Sequence, residues 1–202
     1  MVDFPRCRVA TWADIDQLAD RVAEQVLAAG LRPETIVGLT RGGWVPARLL
    51  ADRLGVKRVY SLRAQHWGVT ATPSGRAEVT EGVSGPVEGQ RVLIVDDITD
   101  TGESLELALA RVRDGRPTRA ETAALFHITH SKFTPNYFGE EIPKESWVWV
   151  VFPWNYWEDL ASLAERARSV APEGVRTLLR ERCGWDVPPE HLARLATWAE
   201  RH

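Results

Sequence analysis

The chain has 202 residues, of which 44% are hydrophobic and 26% charged, and this suits one soluble α/β domain. A net charge of −3 argues against a nucleic-acid-binding face, and no apolar run approaches the ~20 residues that span a bilayer. Cys7 and Cys183 lack metal-binding spacing, so we expect two reduced thiols in a cytoplasmic protein with no membrane or nucleic-acid partner.

The N-terminal part of the chain predicts a helix followed by a strand. Thr11 to Asp14 resembles a capping box, and Gly30 is a suitable C-cap for the helix that follows. The apolar residues of this helix recur at helical spacing and are Ile15, Leu18, Val22, Val26 and Leu27. Thr35 to Leu39 then predicts a short buried strand.

A glycine turn follows this strand and consists of Thr40, Arg41, Gly42 and Gly43. A second helix is predicted from about Val45 to Leu54. A strand–glycine turn–helix unit can bind an anion at the helix N-terminus. The alternative is that the two glycines only permit a tight bend.

The next stretch contains a strand and a connection. Val59 to Ala64 predicts the strand. From Gly68 to Gly89 the chain lacks helical periodicity and is rich in small, polar and β-branched residues, so a hairpin or a plain connection is expected.

The most informative stretch begins with a strand from Val92 to Val95, which is expected to end at the adjacent carboxylates of Asp96 and Asp97. A loop then opens a helix whose apolar face contains Leu105, Leu109 and Val112. The loop consists of Asp100, Thr101, Gly102, Glu103 and Ser104, and in it the Gly102 backbone and the Thr101 and Ser104 hydroxyls can contact an anion. A helix N-terminus attracts phosphate, whereas carboxylates bind sugar hydroxyls or a divalent cation. Together they predict a sugar-phosphate ligand. The alternative is an ordinary helix capped by Asp97 or Asp100.

The strand predicted from Thr122 to Ile128 has His127, His130 and Lys132 at or beyond its end. These histidines are either surface or core residues, or they belong to a binding site; no cysteine or acid cluster accompanies them, which argues against zinc.

Trp147 to Trp154 alternates aromatic and aliphatic residues and predicts a strand. The chain beyond Leu160 predicts amphipathic helices.

The stretch from Asp96 to Ser104 resembles the 5-phosphoribosyl-1-pyrophosphate (PRPP) binding motif of type I phosphoribosyltransferases. That motif is a hydrophobic strand, two acidic residues, a short spacer and then Asp-Thr-Gly-x-Ser/Thr; here Ile98 and Thr99 are the spacer. The resemblance implies that Asp96 and Asp97 hold the ribose hydroxyls and, through them, Mg²⁺. It also implies that the loop from Asp100 wraps the 5′-phosphate and that Asp100 acts as a catalytic group beside a purine nitrogen.

The turn from Thr40 to Gly43 is similar to the pyrophosphate-binding loop of the same enzymes. The resemblance assigns Arg41 to the departing pyrophosphate as a second catalytic group, and in that family the peptide before the basic residue is often cis. The stretch from Gly68 to Gly89 would then correspond to the loop that covers the reacting centre.

The later part of the chain resembles the 6-oxopurine phosphoribosyltransferases, which implies that Trp149 stacks on the base and Val150 contacts its edge. Two positions depart from that pattern. Asn155 replaces an acidic residue that helps to hold metal, and Ile128 occupies the position of a lysine that contacts the purine 6-oxygen. Either His127, His130 or Lys132 replaces this lysine, or the base preference has changed.

The resemblance therefore implies a single α/β domain of the type I phosphoribosyltransferase fold, with a central, mainly parallel sheet flanked by helices. A small hood from about residue 135 to 157 and part of the N-terminus would cover it, and residues 160–202 would form a helical extension. The implied activity transfers phosphoribosyl from PRPP to a 6-oxopurine and yields a nucleoside monophosphate and pyrophosphate, in a homodimer or higher oligomer. The alternatives are an enzyme for another base, such as adenine or a pyrimidine, and a non-catalytic PRPP-sensing regulator.

Overall fold

The structure, a computed structural model, describes residues 4–66, 77–167 and 172–199. Contacts between Cα atoms divide the chain into two compact units. Residues Ala13–Ser146 form the sheet unit, and Met1–Trp12 together with Trp147–His202 form the terminal unit. Among the described residues, none of the helices has both the length and the apolar character needed to cross a membrane.

The sheet unit is built on one six-stranded sheet, whose strands in chain order are β2 (Thr35–Thr40), β3 (Arg58–His66), β4 (Ala77–Glu81), β5 (Arg91–Thr99), β6 (Arg119–Ile128) and β7 (Tyr137–Ile142). Their spatial order is β4-β3-β2-β5-β6-β7. All neighbouring strands are parallel except β4, which is antiparallel to β3. The predicted central, mainly parallel sheet is therefore confirmed.

In the described part of the sheet unit, three helices pack on this sheet: α1 (Trp12–Ala28, of which Trp12 belongs to the terminal unit), α2 (Trp44–Arg53) and α3 (Glu103–Asp114). The predicted apolar face of α3 is buried, and it packs with Val92 and Ile94 of β5 in one hydrophobic cluster. Pro46 is tolerated in α2 because it lies in the first turn, where a backbone N–H has no helical partner. Of the five apolar residues named for the α1 pattern, four are buried and Leu27 is 39% exposed.

Two further predicted segments can be compared with the structure. The stretch expected to be a hairpin, a plain connection or a covering loop, from Gly68 to Gly89, lies partly outside the described residues, and its described part includes β4, whose antiparallel pairing with β3 agrees with the hairpin. Within the predicted hood, residues up to Ser146 belong to the sheet unit, because β7 pairs with β6 along the edge of the sheet.

The terminal unit combines a small sheet with helices. Its two parallel strands are β1 (Cys7–Val9) and β8 (Trp149–Val151). They are followed by α4 (Tyr156–Arg166), α5 (Pro172–Leu178), one π-helical turn (Leu179–Cys183) and α6 (Pro189–Ala199). A separate core joins these elements through Val151, Leu160, Leu179, Trp185 and Leu195. Both cysteines are free thiols in this unit.

Candidate active site

The acidic pair lies within β5, not beyond its end, so the prediction that this strand stops at Val95 was wrong. The reason is that its two neighbours end at different places. Pairing with β2 stops where Val95 lies beside Gly38, whereas pairing with β6 continues until Thr99 lies beside His127. Asp96 and Asp97 therefore occupy the point where β2 leaves β5.

The carboxylates of Asp96 and Asp97 interact electrostatically. The Asp97 N–H donates a hydrogen bond of 2.9 Å to Asp96 Oδ1, and Asp97 is only 8% exposed. Burial raises the pKa of Asp96 well above its usual range, and repulsion from the Asp97 carboxylate raises this pKa further. A bound cation or a set of hydroxyl donors would relieve that repulsion.

The acidic pair fits the way in which proteins bind Mg²⁺. No group of three or more His, Cys, Asp or Glu side chains that could hold a metal occurs within the described part of the chain. Mg²⁺ is commonly held by one or two carboxylates, with water and substrate phosphates as its remaining ligands. Asp96 and Asp97 supply hard oxygen ligands of this kind, so the residues present fit a cation that arrives with a phosphorylated substrate.

The glycine turn after β2 packs directly on the acidic pair. A Cβ atom built on Gly42 would lie 2.6 Å from Asp97 Cγ, and one on Gly43 would lie 2.8 Å from the Asp96 Cα. Real Cβ atoms do not approach this closely, so Gly43, which faces backbone atoms, requires glycine, and a side chain at Gly42 would have to displace the Asp97 carboxyl group. The preceding Thr40–Arg41 peptide is cis, as the family resemblance implied, and Arg41 is exposed.

The second loop ends in a glycine that begins α3. Gly102 is the N-cap and has φ of +87°, a left-handed conformation that favours glycine. The residues predicted as alternative caps, Asp97 and Asp100, do not occupy this position. Glu103 and Ser104 lie in the first turn of α3, where backbone N–H groups lack helical partners and can bind an anion.

A third segment, the loop that follows β6, packs on this second loop. The Lys132 N–H donates to the Thr101 carbonyl oxygen over 3.2 Å. A Cβ atom on Gly102 would lie 2.5 Å from Ser131 Oγ and 2.7 Å from Phe133 Cβ. His130 Nε2 lies 2.7 Å from Asp100 Oδ1. The structure thus joins His130, which sequence reasoning considered for the base, to the proposed catalytic carboxylate.

The other residues considered for the missing lysine have different environments. Ile128 is fully buried and pairs with Ile142 of β7. His127 is 4% exposed, its ring lies 5.2 Å from that of Phe138, and burial lowers its pKa. The Lys132 side chain is exposed. Of the three donors predicted from the sequence, His130 is therefore the one that the structure connects to Asp100.

The base-binding candidates Trp149 and Val150 lie in the terminal unit, on β8. Trp149 is partly buried against the core of this unit, and the Val150 side chain is buried. The Trp149 N–H donates to the Arg6 carbonyl, and Val151 accepts a hydrogen bond from the Ala10 N–H. Because backbone groups alternate in direction along a strand, the N–H and C=O of Val150 point away from β1.

Sequence reasoning identified the motifs of the site but missed the contacts between them. Nothing in the spacing of Gly42 and Asp97 indicates that they touch, since 54 intervening residues separate them in the chain. The pairing of Asp100 with His130 was also missed. The available signal was that both residues follow the carboxyl ends of neighbouring parallel strands, which meet at one edge of a sheet.

A family model described as "Phosphoribosyl transferase domain" matches residues 9–166 of the chain. Among curated proteins, the xanthine-guanine phosphoribosyltransferase of Cereibacter sphaeroides is 31% identical over 122 residues. That match covers 59% of this chain and 68% of the relative.

Solved structures give a similar result. The purine phosphoribosyltransferase of Pyrococcus horikoshii is 27% identical, with a TM-score of 0.62, and the match covers 73% of this chain and 93% of that one. The Helicobacter pylori xanthine-guanine-hypoxanthine phosphoribosyltransferase has the same fold, with 24% identity, a TM-score of 0.62 and coverage of 79% and 99%, respectively.

Proposed function

This chain belongs to the phosphoribosyl transferase domain family, and we propose that it transfers 5-phosphoribosyl from PRPP to a 6-oxopurine base. The products are the nucleoside monophosphate and pyrophosphate, as in purine salvage. The names of the Cereibacter sphaeroides and Pyrococcus horikoshii relatives support a purine substrate.

One observation carries this proposal: the glycine turn after β2, the acidic pair and the loop before α3 lie together near the carboxyl ends of β2 and β5. The turn at Gly42 and Gly43 lies against the acidic pair, and the loop from Asp100 to Ser104 begins where β5 ends, three residues after Asp97. Three such features fit a sugar that carries two separate phosphate-containing groups and, between them, two adjacent hydroxyl groups. PRPP has this chemistry, because its 5′-phosphate and its pyrophosphate flank two ribose hydroxyls.

Each feature has a role in the proposed reaction. Asp96 and Asp97 bind the ribose hydroxyls and hold Mg²⁺, which would neutralise charge on the pyrophosphate. Backbone N–H groups at the start of α3, with Thr101 and Ser104, bind the 5′-phosphate. Arg41 and the backbone of the glycine turn bind the pyrophosphate and stabilise the charge that develops as it leaves.

Asp100 is the proposed acid–base group. The purine N9 forms a bond to C1′ of the ribose, while the bond from C1′ to the pyrophosphate oxygen breaks and its electron pair leaves with pyrophosphate. Asp100 accepts the proton released from N7, and it returns a proton there in the reverse direction.

We propose that Trp149 stacks on the purine and that backbone groups of Val150 hydrogen-bond to its edge. The direction of the Val150 N–H and C=O, away from β1, supports this role, since these groups are not used in the β1–β8 pairing. The predicted homodimer and cytoplasmic location stay predictions.

The test is a panel of bases, namely hypoxanthine, guanine, xanthine, adenine, uracil and orotate, each supplied with PRPP and Mg²⁺. Pyrophosphate release and nucleotide formation are both measured. Release with at least one 6-oxopurine, well above release with adenine and the pyrimidines, supports the proposal. A preference for adenine or a pyrimidine would overturn the base assignment. Tight PRPP binding without turnover on any base would instead indicate a PRPP-sensing regulator.

A further inference from the structure

We propose that His130 is a positioning residue that holds the Asp100 carboxylate in the orientation needed to exchange a proton with the purine. This inference rests on the proposed function, because Asp100 matters in this way only if a purine reacts beside it. It assigns to His130 a task different from contact with the base.

The first support is the contact itself. His130 Nε2 lies 2.7 Å from Asp100 Oδ1, within the range of a strong hydrogen bond between an imidazole N–H and a carboxylate. The side chains are 31% and 43% exposed, so both remain accessible to a ligand. Because exposed ion pairs contribute little energy by themselves, the way in which the two residues are held is the stronger argument.

The second support is that the backbone of both partners is fixed. The loop containing His130 is anchored on the loop containing Asp100 by the hydrogen bond from the Lys132 N–H to the Thr101 carbonyl. Next to it, Gly102 leaves no room for a side chain because Ser131 and Phe133 pack against it. Ser131 is held in turn, since its N–H donates to the Ile128 carbonyl and its hydroxyl donates to the Phe133 carbonyl. The backbone that carries the imidazole and the backbone that carries Asp100 are therefore packed against each other.

The third support is the chemistry of the carboxylate. A carboxylate has about four lone-pair sites, so Asp100 can accept hydrogen bonds from His130 and from a purine N7–H at the same time. A donor on one oxygen restricts rotation about the Cβ–Cγ bond, and catalytic groups need to be held in a narrow range of orientations. With Nε2 as the donor, the imidazole carries a proton on this nitrogen. In other enzymes, too, a catalytic acid–base group is held in its orientation by a hydrogen bond from a neighbouring side chain.

A matched pair of substitutions tests the inference. His130→Leu and His130→Gln are similar in size, but only glutamine keeps an N–H donor near the position of Nε2. We expect His130→Leu to lower kcat at least about tenfold and His130→Gln to stay within about threefold of the wild-type protein. KM for PRPP should stay within about twofold in both variants, because the sugar and phosphate contacts are not altered. Arg111→Ala, which removes an exposed ion pair with Asp114 at the far end of α3, is the control.

A double-mutant cycle tests whether His130 acts through Asp100. In an Asp100→Ala background, His130→Leu should change kcat by less than about twofold, since there is no carboxylate left to orient. If both His130 variants keep full activity, or if the effects of Asp100→Ala and His130→Leu multiply, the inference is wrong. A raised KM for the purine with unchanged kcat would show that His130 contacts the base instead. A wild-type protein that is inactive on every base would overturn the proposed function itself. This result differs from the outcomes that would overturn only the role of His130.

Discussion

Gly42 and Asp97 are in direct contact: a single methyl group added at Gly42 would lie 2.6 Å from the Asp97 carboxyl carbon. This contact joins a turn after β2 to a carboxylate in β5. It makes the proposed pyrophosphate and ribose sites parts of one surface. A change at either residue should therefore affect both.

Gly42→Ala is the direct test of this contact. We expect the added methyl group to displace the turn or the carboxylate and to lower the affinities for PRPP and for pyrophosphate at least about tenfold each. Calorimetry with both ligands measures this. The control is Arg111→Ala, which removes an exposed ion pair with Asp114 and touches none of the residues assigned to the site. Unchanged affinities in Gly42→Ala, with Arg111→Ala also normal, would contradict the joint site.

The acidic pair should bind the sugar, not the base. Asp96→Asn combined with Asp97→Asn should weaken PRPP binding at least about tenfold, because each charge-assisted hydrogen bond contributes about 1.5–3 kcal/mol. Binding of the free purine should change much less. Calorimetry that finds the same PRPP affinity in the double variant would overturn the assignment of the pair.

Arg41 is exposed in the turn before α2, and we assign it to the leaving group. Arg41→Ala should lower turnover and weaken pyrophosphate binding about tenfold or more, because a guanidinium hydrogen-bonded to phosphate oxygens is lost. Affinity for the nucleoside monophosphate should remain close to that of the wild-type protein. Equal losses for both ligands would assign Arg41 to the 5′-phosphate instead.

Trp149 is partly buried against the core of the terminal unit, so its replacement needs to keep an apolar side chain. Trp149→Leu does so while it removes the aromatic surface, and we expect nucleotide binding to weaken by about 1–3 kcal/mol. The control is Trp147→Ala, which truncates a neighbouring tryptophan that is 37% exposed. A larger loss of nucleotide affinity in the Trp147 variant would move the stacking position to that residue.

Buried His127 should make the stability of the protein depend on pH. Because burial lowers the pKa of His127 in the folded state, the unfolded chain binds a proton more readily between this lowered value and the usual value of about 6.5. The contribution of His127 to the free energy of unfolding should thus fall as the pH decreases through this range, opposite in sign to that of Asp96, whose pKa is raised, and His127→Gln should remove the His127 contribution. Denaturant titrations between about pH 7.5 and about pH 5 measure the slope of the free energy of unfolding against pH for both proteins, and equal slopes would contradict the assignment.

The sequence alone determined the four inner strands of the sheet unit, its helices and its candidate ligand-binding motifs, but not the two edge strands β4 and β7. Continuous aliphatic runs such as Val92 to Val95 predicted buried parallel strands, and the periodic residues Leu105, Leu109 and Val112 predicted α3, because local hydrophobic patterns report on burial. Two acidic residues followed by Asp-Thr-Gly identified the family, because the residues of this motif lie close together in the sequence.

The tertiary structure alone decided how the motifs meet and where the strands end. The extension of β5 to Thr99 depends on continued pairing with β6. The sequence of β5 by itself does not show how far its neighbour extends. Likewise, the contacts of Gly42 with Asp97 and of His130 with Asp100 join residues far apart in the chain. Only the order and register of the parallel strands bring these residues to one edge, and both are set by packing across the whole sheet.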